Sequence, residues 1–377
     1  MTGGPPRRPG VLAVDSGGSG LRVAVRVVES EAGAHGAVPQ EAGSRGDGLR
    51  EAGSLGGVPR DAVAEVATKE PVRTGPRGID PEHLMEQLVP AVRALTAETE
   101  VSHLAAAAVG AAGFGTLGDA LRAELPGALA REFGVRRVAL AADAVTAYVG
   151  ALGVRPGAVV AAGTGLIALG TDLARWRRAD GWGHLLGDCG GGAWIGRAGL
   201  EAAVRAHDGR PRGSAALLAC AEEEFGPVTG LPALLYPRAD RPAVLASFAP
   251  RVADCAATDP VAADILRAAA GHMADSAAAV CPAGDGARVA LTGGLFRTGE
   301  ALLTPVREEL ARRLPHARPV PAEGDPLHGA TALATALARG TLALPLDASL
   351  LHVVTSATEQ VEGTVGDKSY GKHADHF

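Results

Sequence analysis

The side chains best suited to chemistry in this sequence begin at a turn that follows a short apolar run. Asp15 ends that run and is followed by Ser16, Gly17, Gly18 and Ser19. Glycines let backbone N–H groups approach phosphate oxygens, and hydroxyl groups can donate further hydrogen bonds. A carboxylate at a strand end suits a hydrated Mg²⁺ beside those phosphates. The turn is therefore a candidate phosphate site with Asp15 as a metal ligand, and an ordinary hairpin turn is the alternative.

A second glycine-rich turn, Gly163, Thr164 and Gly165, repeats this chemistry near the middle of the chain. It lies between two apolar segments, 158–162 and 166–170, that read as another strand pair. One such turn is weak evidence for a ligand. Two of them, each at the tip of a strand pair, favour phosphates held from both sides of a cleft. No GxxxxGK[ST] motif is present, so a P-loop is not expected.

Asp143 follows a predicted strand, Arg137 to Ala142, at the point where a helix is expected to begin. A carboxylate in that position could accept the proton of an attacking sugar hydroxyl. From the residues alone the simpler reading is the N-cap of the helix, which requires only an Asp at a strand-to-helix junction. The two roles are compatible.

The segment from Gly181 to Gly196 contains seven glycines in sixteen residues and two of the three tryptophans. Such a composition is incompatible with a regular helix or strand and predicts a loop that faces a ligand. Asp188 could hydrogen-bond sugar hydroxyls, and His184 or the backbone around Trp182 could do the same. The alternative is a structural loop packed by Trp182 and Trp194.

A glycine pair, Gly293 and Gly294, follows an apolar strand that ends near Thr292. Two consecutive glycines allow a flat ring to lie against the backbone. A plain turn between a strand and a helix is the alternative for this feature.

The elements around these residues can be read from hydrophobic spacing. Residues 11–14 and 21–28 predict a hairpin, and Asp80 with Pro81 predicts the start of a helix. A punctuated segment at 153–157 precedes the second strand pair. The chain therefore reads as two α/β halves of similar architecture, with a boundary there. After about Pro345 the composition becomes polar, and little packed structure is expected.

The bulk composition excludes several classes of protein. With 377 residues, 47% of them apolar and 21% charged, the chain is long enough for two folded domains. A net charge of −6 argues against a nucleic-acid partner, and no apolar segment approaches the roughly 20 residues that cross a bilayer. The four cysteines show no zinc or disulfide spacing, and no signal peptide is evident, so a cytoplasmic location is expected.

In order, VDSGGSG, the strand end at Asp143, AAGTG, GWGHLLGD and LTGGLF resemble the BadF/BadG/BcrA/BcrD ATPase family, and within it the N-acetylglucosamine kinases. The resemblance covers roughly residues 10–338. It implies an α/β fold of two ribonuclease H-like, actin-like ATPase lobes with a nucleotide cleft between them. The implied lobes are 1–153, with a C-terminal helix at about 326–340 packing back on it, and 154–325, followed by a polar tail at 346–377.

The resemblance also implies cofactors and roles for individual residues. The cofactors are ATP and Mg²⁺, the acceptor is a small sugar, and whether the chain forms a homodimer is left open. Asp143 matches the catalytic base that activates the sugar 6-hydroxyl. The matched nucleotide and metal positions are Asp15, Gly17, Gly18, Ser19, Gly163, Thr164, Gly165, Gly293 and Gly294. The matched sugar positions are Gly181, Trp182, Gly183 and Asp188.

Three departures from the family pattern bear on the acceptor. Leu166 follows the second turn where a small polar residue is common, Cys189 stands where the family's GDEG loop has Glu, and the chain contains no Asn for the family's amino-sugar contact. Two further functions stay open at this point. One is an ATPase that activates a radical dehydratase, and the other is a sugar sensor of the same fold with little turnover.

Overall fold

The structure, a computed structural model, describes residues 8–17, 20–28, 63–75, 78–284 and 286–356. Gly18 and Ser19, two of the predicted phosphate-binding residues, lie outside these ranges.

Thirteen strands and twelve α-helices are present in the described ranges. The strands are β1 Pro9–Gly17, β2 Gly20–Val27, β3 Val63–Thr68, β4 Thr74–Gly75, β5 Gly78–Ile79, β6 His103–Ala111, β7 Arg137–Ala142, β8 Gly157–Ala162, β9 Leu166–Thr171, β10 Trp176–Asp180, β11 Arg288–Thr292, β12 Arg318–Pro319 and β13 Leu351–Thr355. The helices are α1 Pro81–Glu98, α2 Phe114–Leu117, α3 Asp119–Phe133, α4 Asp143–Leu152, α5 Gly192–His207, α6 Ala215–Phe225, α7 Leu231–Leu235, α8 Arg241–Ser247, α9 Ala249–Cys255, α10 Pro260–Val280, α11 Glu300–Arg313 and α12 Pro326–Arg339.

The two larger sheets share a five-stranded arrangement, to which the first sheet adds β13 at one edge. In the first, the strand order is β13-β7-β6-β1-β2-β3, and in the second it is β10-β9-β8-β11-β12. Each begins with three antiparallel strands, β1-β2-β3 or β8-β9-β10, and two more strands continue in parallel beyond the first of them. The predicted pair of similar α/β halves, each opening with a glycine-turned hairpin, is confirmed.

Local sequence signals account for several of these elements. The side chain of Asp80 accepts hydrogen bonds from Glu82 N and His83 N, so it is the N-cap of α1, with Pro81 at the first helical position. The central strands β1 and β6 are almost wholly buried because helices cover the sheet on both faces, and their sequences are correspondingly apolar without alternation.

Helix α12 packs back onto the first sheet. Leu327 and Ala330 form a buried cluster with Ala13 of β1 and Ala24 of β2. Its contact with α4 requires a glycine, because a Cβ atom at Gly329 would lie 1.9 Å from the carbonyl oxygen of Thr146. The helix that follows the second sheet in sequence therefore packs on the first sheet in space.

Part of the C-terminal segment is packed, although little packed structure was expected after about Pro345. Residues 351–355 form β13, which pairs antiparallel with β7 at the edge of the first sheet, and Leu351 is fully buried. The segment LLHVV, residues 350–354, has the β-branched and apolar residues typical of a strand, but the polar residues that follow it made this pattern easy to overlook. The packed structure thus extends at least to Ser356, and the rest of the expected tail lies outside the described residues.

Among the described residues, no helix has both the length and the apolar character required to cross a membrane.

Candidate functional site

A cavity of about 580 Å³ is lined by residues from the first hairpin of each of the two sheets, among them Gly17 and Gly163. Its walls come from both halves of the chain and from the start of α12. The lining residues are Asp15, Gly17, Arg22, Asp143, Ala144, Ala147, Ala161, Gly163, Ile167, Thr292, Gly293, Gly294, Arg297, Asp325 and Pro326. A second, smaller recess between α1 and α3 contains none of the predicted site residues.

On the first sheet, Asp15 is held by an arginine from the neighbouring strand. Arg22 Nε and Nη2 both donate to Asp15 Oδ2, at 3.0 and 2.6 Å, and Arg22 Nη1 donates to Asp325 Oδ2 at 2.5 Å. Burial raises the pKa of Asp15, and Arg22 opposes that shift without cancelling it. Burial also raises the pKa of Asp325, but the N–H of His328 and the charge of Arg22 outweigh it, so the pKa of Asp325 is lowered.

Asp143 lies at the junction of β7 and α4, as predicted, but it is not the N-cap of α4. The N-cap is Ala142, and Asp143 is the first helical residue, with its carboxylate accepting a hydrogen bond from Ala144 N at 2.9 Å. Burial raises the pKa of Asp143 to about 6, and the nearby charge of Asp15 adds to the increase. The N–H of Ala144 and the charge of Arg178 act in the opposite direction. A carboxylate with this pKa is mostly ionised at pH 7 and can accept a proton.

On the second sheet, the wall of the cavity is mainly backbone. Gly293 has a φ of +107°, and a Cβ atom there would lie 2.2 Å from Ala162 O, so only glycine fits. The turn at Gly163 is held by the first residues of α5, because Gly192 N donates to Gly163 O and Ala193 N donates to Thr164 O. Small residues at these points keep the surface open to a ligand.

The loop after β10 connects to the second turn through a carboxylate. Asp188 Oδ1 accepts a hydrogen bond from Gly183 N at 3.0 Å, and Asp188 Oδ2 contacts Gly165. The loop reaches the cavity at Ile167, against which Gly181 packs. Burial raises the pKa of Asp188.

The tip of this loop is exposed. Trp182, Leu185 and Leu186 are 64%, 77% and 86% exposed, whereas Trp194 packs edge-on against His272. The alternative of a structural loop packed by tryptophans applies to Trp194, whereas Trp182 is mostly exposed and contacts the guanidinium of Arg178.

The cavity brings together six of the predicted residues. They are Asp15, Gly17, Asp143, Gly163, Gly293 and Gly294. The others that the structure describes do not line it. Thr164 and Gly165 lie in the second turn, and Gly181, Trp182, Gly183 and Asp188 lie in the loop beside it.

Sequence reasoning missed Arg22, Arg297 and Asp325, which also line the cavity. Arg22 gave a signal, since it and Arg26 are the two charged residues of a strand whose other positions are buried. Asp325 gave another, because an Asp followed by Pro predicts a helix start, and its side chain accepts a hydrogen bond from His328 N. Neither signal indicates a contact with Asp15.

The residues around Asp15 fit a Mg²⁺ ion that is held largely by a nucleotide. Both Arg22 bonds go to Oδ2, and within the described part of the chain no donor bonds Oδ1. No cluster of three or more His, Cys, Asp or Glu side chains in the described ranges could hold a metal ion by itself. Mg²⁺ commonly binds through one or two carboxylates, with phosphates and water as its other ligands.

Two solved structures are similar to this chain over most of its length. A proposed N-acetylglucosamine kinase from Chromobacterium violaceum is 25% identical, with a TM-score of 0.59 over 87% of this chain and 99% of that one. A second proposed N-acetylglucosamine kinase, from Porphyromonas gingivalis, is 16% identical, with a TM-score of 0.56 over 85% and 97% of the two chains. At 16% identity, the Porphyromonas gingivalis structure indicates a shared fold and nothing about activity. No curated protein sequence matches the chain.

The two halves therefore have the actin-like ATPase fold that the sequence predicted. The sequence profile of one family matches residues 13–334, which include every cavity residue named above. Because this match spans most of the chain, the protein belongs to the BadF/BadG/BcrA/BcrD ATPase family.

Proposed function

We propose that the protein is an ATP-dependent sugar kinase that transfers the γ-phosphoryl group of ATP to the 6-hydroxyl of a hexose or amino sugar. N-acetylglucosamine is the first acceptor to test. The observation that carries the proposal is the shared cavity, which is lined by Asp143 together with Gly17 of the first sheet and Gly163 of the second. Transfer of a phosphoryl group to an alcohol requires a group that accepts the hydroxyl proton. Nucleotide binding alone requires no such base.

In this proposal the nucleotide lies across the two sheets. Gly17 with Gly18 and Ser19, and Gly163 with Thr164 and Gly165, bind the phosphates from opposite sides. Gly293 and Gly294 provide the flat surface for the adenosine. Glycine-rich turns of this kind can supply backbone N–H donors without side chains that would block the ligand.

Asp15 is the proposed protein ligand for Mg²⁺, through the Oδ1 atom described above. A bound Mg²⁺ supplies positive charge that stabilises the charge developing on the phosphate oxygens. Arg22 keeps the partly buried Asp15 carboxylate paired and in a fixed orientation.

Asp143 is the proposed catalytic base. It accepts the proton of the acceptor hydroxyl as that oxygen forms a bond to the γ-phosphorus, and the bond from the γ-phosphorus to the β,γ-bridging oxygen breaks, releasing ADP. Most of the rate enhancement would come from positioning and charge stabilisation, and the proton transfer adds typically 10²- to 10⁴-fold.

The sugar is proposed to bind beside the cavity, at the loop that contains Gly181, Trp182, Gly183 and Asp188. Asp188 supports this assignment because its carboxylate joins the loop to the second phosphate turn. The Chromobacterium violaceum neighbour supports an amino sugar as the acceptor. The departures at Leu166 and Cys189, and the absence of Asn, bear on which sugar is the acceptor.

We also propose the lobe limits 1–153 and 154–325, with 326–340 assigned to the first lobe. The packing of α12 on β1 and β2 supports the last assignment. Closure of the two lobes on ATP would exclude water from the cavity and limit wasteful hydrolysis.

An ADP-release assay over N-acetylglucosamine, glucosamine, glucose and N-acetylmannosamine tests the proposal. The expected result is ADP release that depends on one of these sugars and yields a sugar 6-phosphate by mass spectrometry. ATP hydrolysis that no sugar stimulates would favour an ATPase role. Sugar and ATP binding without ADP release would favour a sensor.

A further inference from the structure

The side chain of Arg178, on β10, contacts the start of the loop 181–187, which is called the acceptor loop below. Arg178 Nε donates to Asp180 O at 3.1 Å, and Nη2 donates to Gly181 O at 2.7 Å. The guanidinium carbon also lies 4.5 Å from the centroid of the Trp182 ring, in a cation–π contact. These three contacts fix three consecutive residues where the loop leaves the strand.

The other end of the acceptor loop is held by Asp180. Its carboxylate accepts a hydrogen bond from Asp188 N at 2.5 Å and another from Cys189 N at 2.9 Å. Asp180 has a φ of +61°, a conformation that non-glycine residues seldom adopt. Both ends of the loop are therefore tied to the last residues of β10, one through the side chain of Arg178 and the other through that of Asp180.

Arg178 also acts on the candidate site through its charge. Its guanidinium lowers the pKa of both Asp143 and Asp188, against the effect of burial on each carboxylate. Arg178 is thus the cation whose field reaches both the proposed base and the proposed sugar carboxylate.

We propose that Arg178 is a positioning residue that holds the acceptor loop in fixed register with Asp143, so that the sugar hydroxyl meets the base. This inference rests on the proposed function. The planar guanidinium is required because it donates to two carbonyl oxygens and stacks on Trp182 at the same time. A lysine would keep the charge but could not reproduce this geometry.

The test compares Arg178→Lys with Arg177→Lys, a matched control on the same strand. Arg177 is exposed, and strand alternation directs its side chain to the opposite face. The Arg178→Lys variant is expected to raise the acceptor KM by about tenfold or more, while the KM for ATP changes by less than about twofold. The Arg177→Lys variant should match the wild type in both constants.

Hydrogen exchange gives a readout that does not depend on turnover. Backbone amides of residues 181–187 should exchange faster in Arg178→Lys than in the wild type, with the remaining amides unchanged. Unchanged exchange in this loop, or an equal loss of affinity for sugar and ATP, would overturn the proposal.

The two proposals fail in different ways. If the wild-type protein transfers no phosphoryl group to any sugar, the kinase proposal fails. Faster loop exchange in Arg178→Lys would then still show that Arg178 holds the loop, while its role toward an acceptor would be overturned with the kinase.

Discussion

The carboxylate of Asp188 lies directly against the backbone of Gly165. A Cβ atom at Gly165 would be only 2.2 Å from Asp188 Oδ2, so the two residues leave no room for any side chain between them. This contact joins the acceptor loop to the second glycine turn. A change on either side is therefore transmitted to the other through a single carboxylate.

Gly165→Ala should displace Asp188 and with it the acceptor loop. We expect a loss of roughly 1–3 kcal/mol in the free energy of unfolding, the usual range for inserting a methyl group into a packed site. We also expect a higher acceptor KM. Chemical denaturation and sugar titration measure the two effects. Gly230→Ala is the control for stability, since a Cβ atom there meets nothing within 4 Å. Equal stability of the two variants would contradict the prediction.

Asp143→Asn should lower turnover by about 10²-fold or more, because a neutral amide cannot accept the proton. Sugar binding should be largely retained, which calorimetry can check. Asp254→Asn, at an exposed helical position, serves as the control. Turnover in Asp143→Asn close to that of the wild type would rule out the base assignment.

The same variant should be more stable than the wild type at pH 7. The pKa of Asp143 is raised in the folded state, so the protein is stabilised by this group at low pH, and that stabilisation is lost as the pH rises through about 6. Removing the charge should increase the free energy of unfolding by roughly 1–2 kcal/mol. This value is below the ~3 kcal/mol that two pKa units represent, because Asp143 lines a cavity that is open to solvent. Denaturation curves should show a larger gain at pH 7 than at pH 5, and the gain should disappear only as the pH falls to the ordinary Asp pKa of 3.8.

Activity should fall with acid below about pH 6. Protonated Asp143 cannot accept a proton, so kcat/KM should decrease about tenfold for each pH unit below the pKa of this group. Asp15 raises that pKa and Arg178 lowers it. The other charged groups that line the cavity are Arg22, Asp325 and Arg297.

The phosphates of ATP also titrate in this pH range, and a variant separates the two effects. Arg178→Gln removes a charge that lowers the pKa of Asp143, so the acid limb of the profile should move to higher pH. The ionisation of free ATP cannot respond to that substitution. If the acid limb lies at the same pH in the wild type and in Arg178→Gln, the limb reports the ionisation of ATP and not that of Asp143.

Two glycine substitutions in helix interiors should have opposite effects. Gly329→Ala would place a Cβ atom 1.9 Å from Thr146 O, so α12 must move away from α4, and the free energy of unfolding should fall by at least about 2 kcal/mol. Gly271→Ala, in α10, meets only a flexible arginine end at 3.7 Å and should stabilise by roughly 0.5–1 kcal/mol. Thermal denaturation of both variants tests the contact. Similar shifts would contradict the packing of α12 on α4.

Part of the architecture could be predicted from the sequence because it depends on residues that are close together along the chain. The N-cap at Asp80, the glycine turns between apolar strands and the strand before Asp143 each follow from the residues within a few positions. Six of the predicted site residues indeed line one cavity, since strand ends with small residues lie at the same edge of each sheet.

The tertiary structure decided what connects residues far apart in sequence. Arg22 and Asp325 are separated by 303 positions, yet the guanidinium of one bonds the carboxylate of the other and orients Asp15. This pairing exists only because α12 folds back over β1 and β2. The edge strand β13 likewise required β7 as its partner. The spacing of apolar residues and the residues at turns determine where helices and strands form. The packing of the whole chain determines which charged groups and which strand edges come into contact.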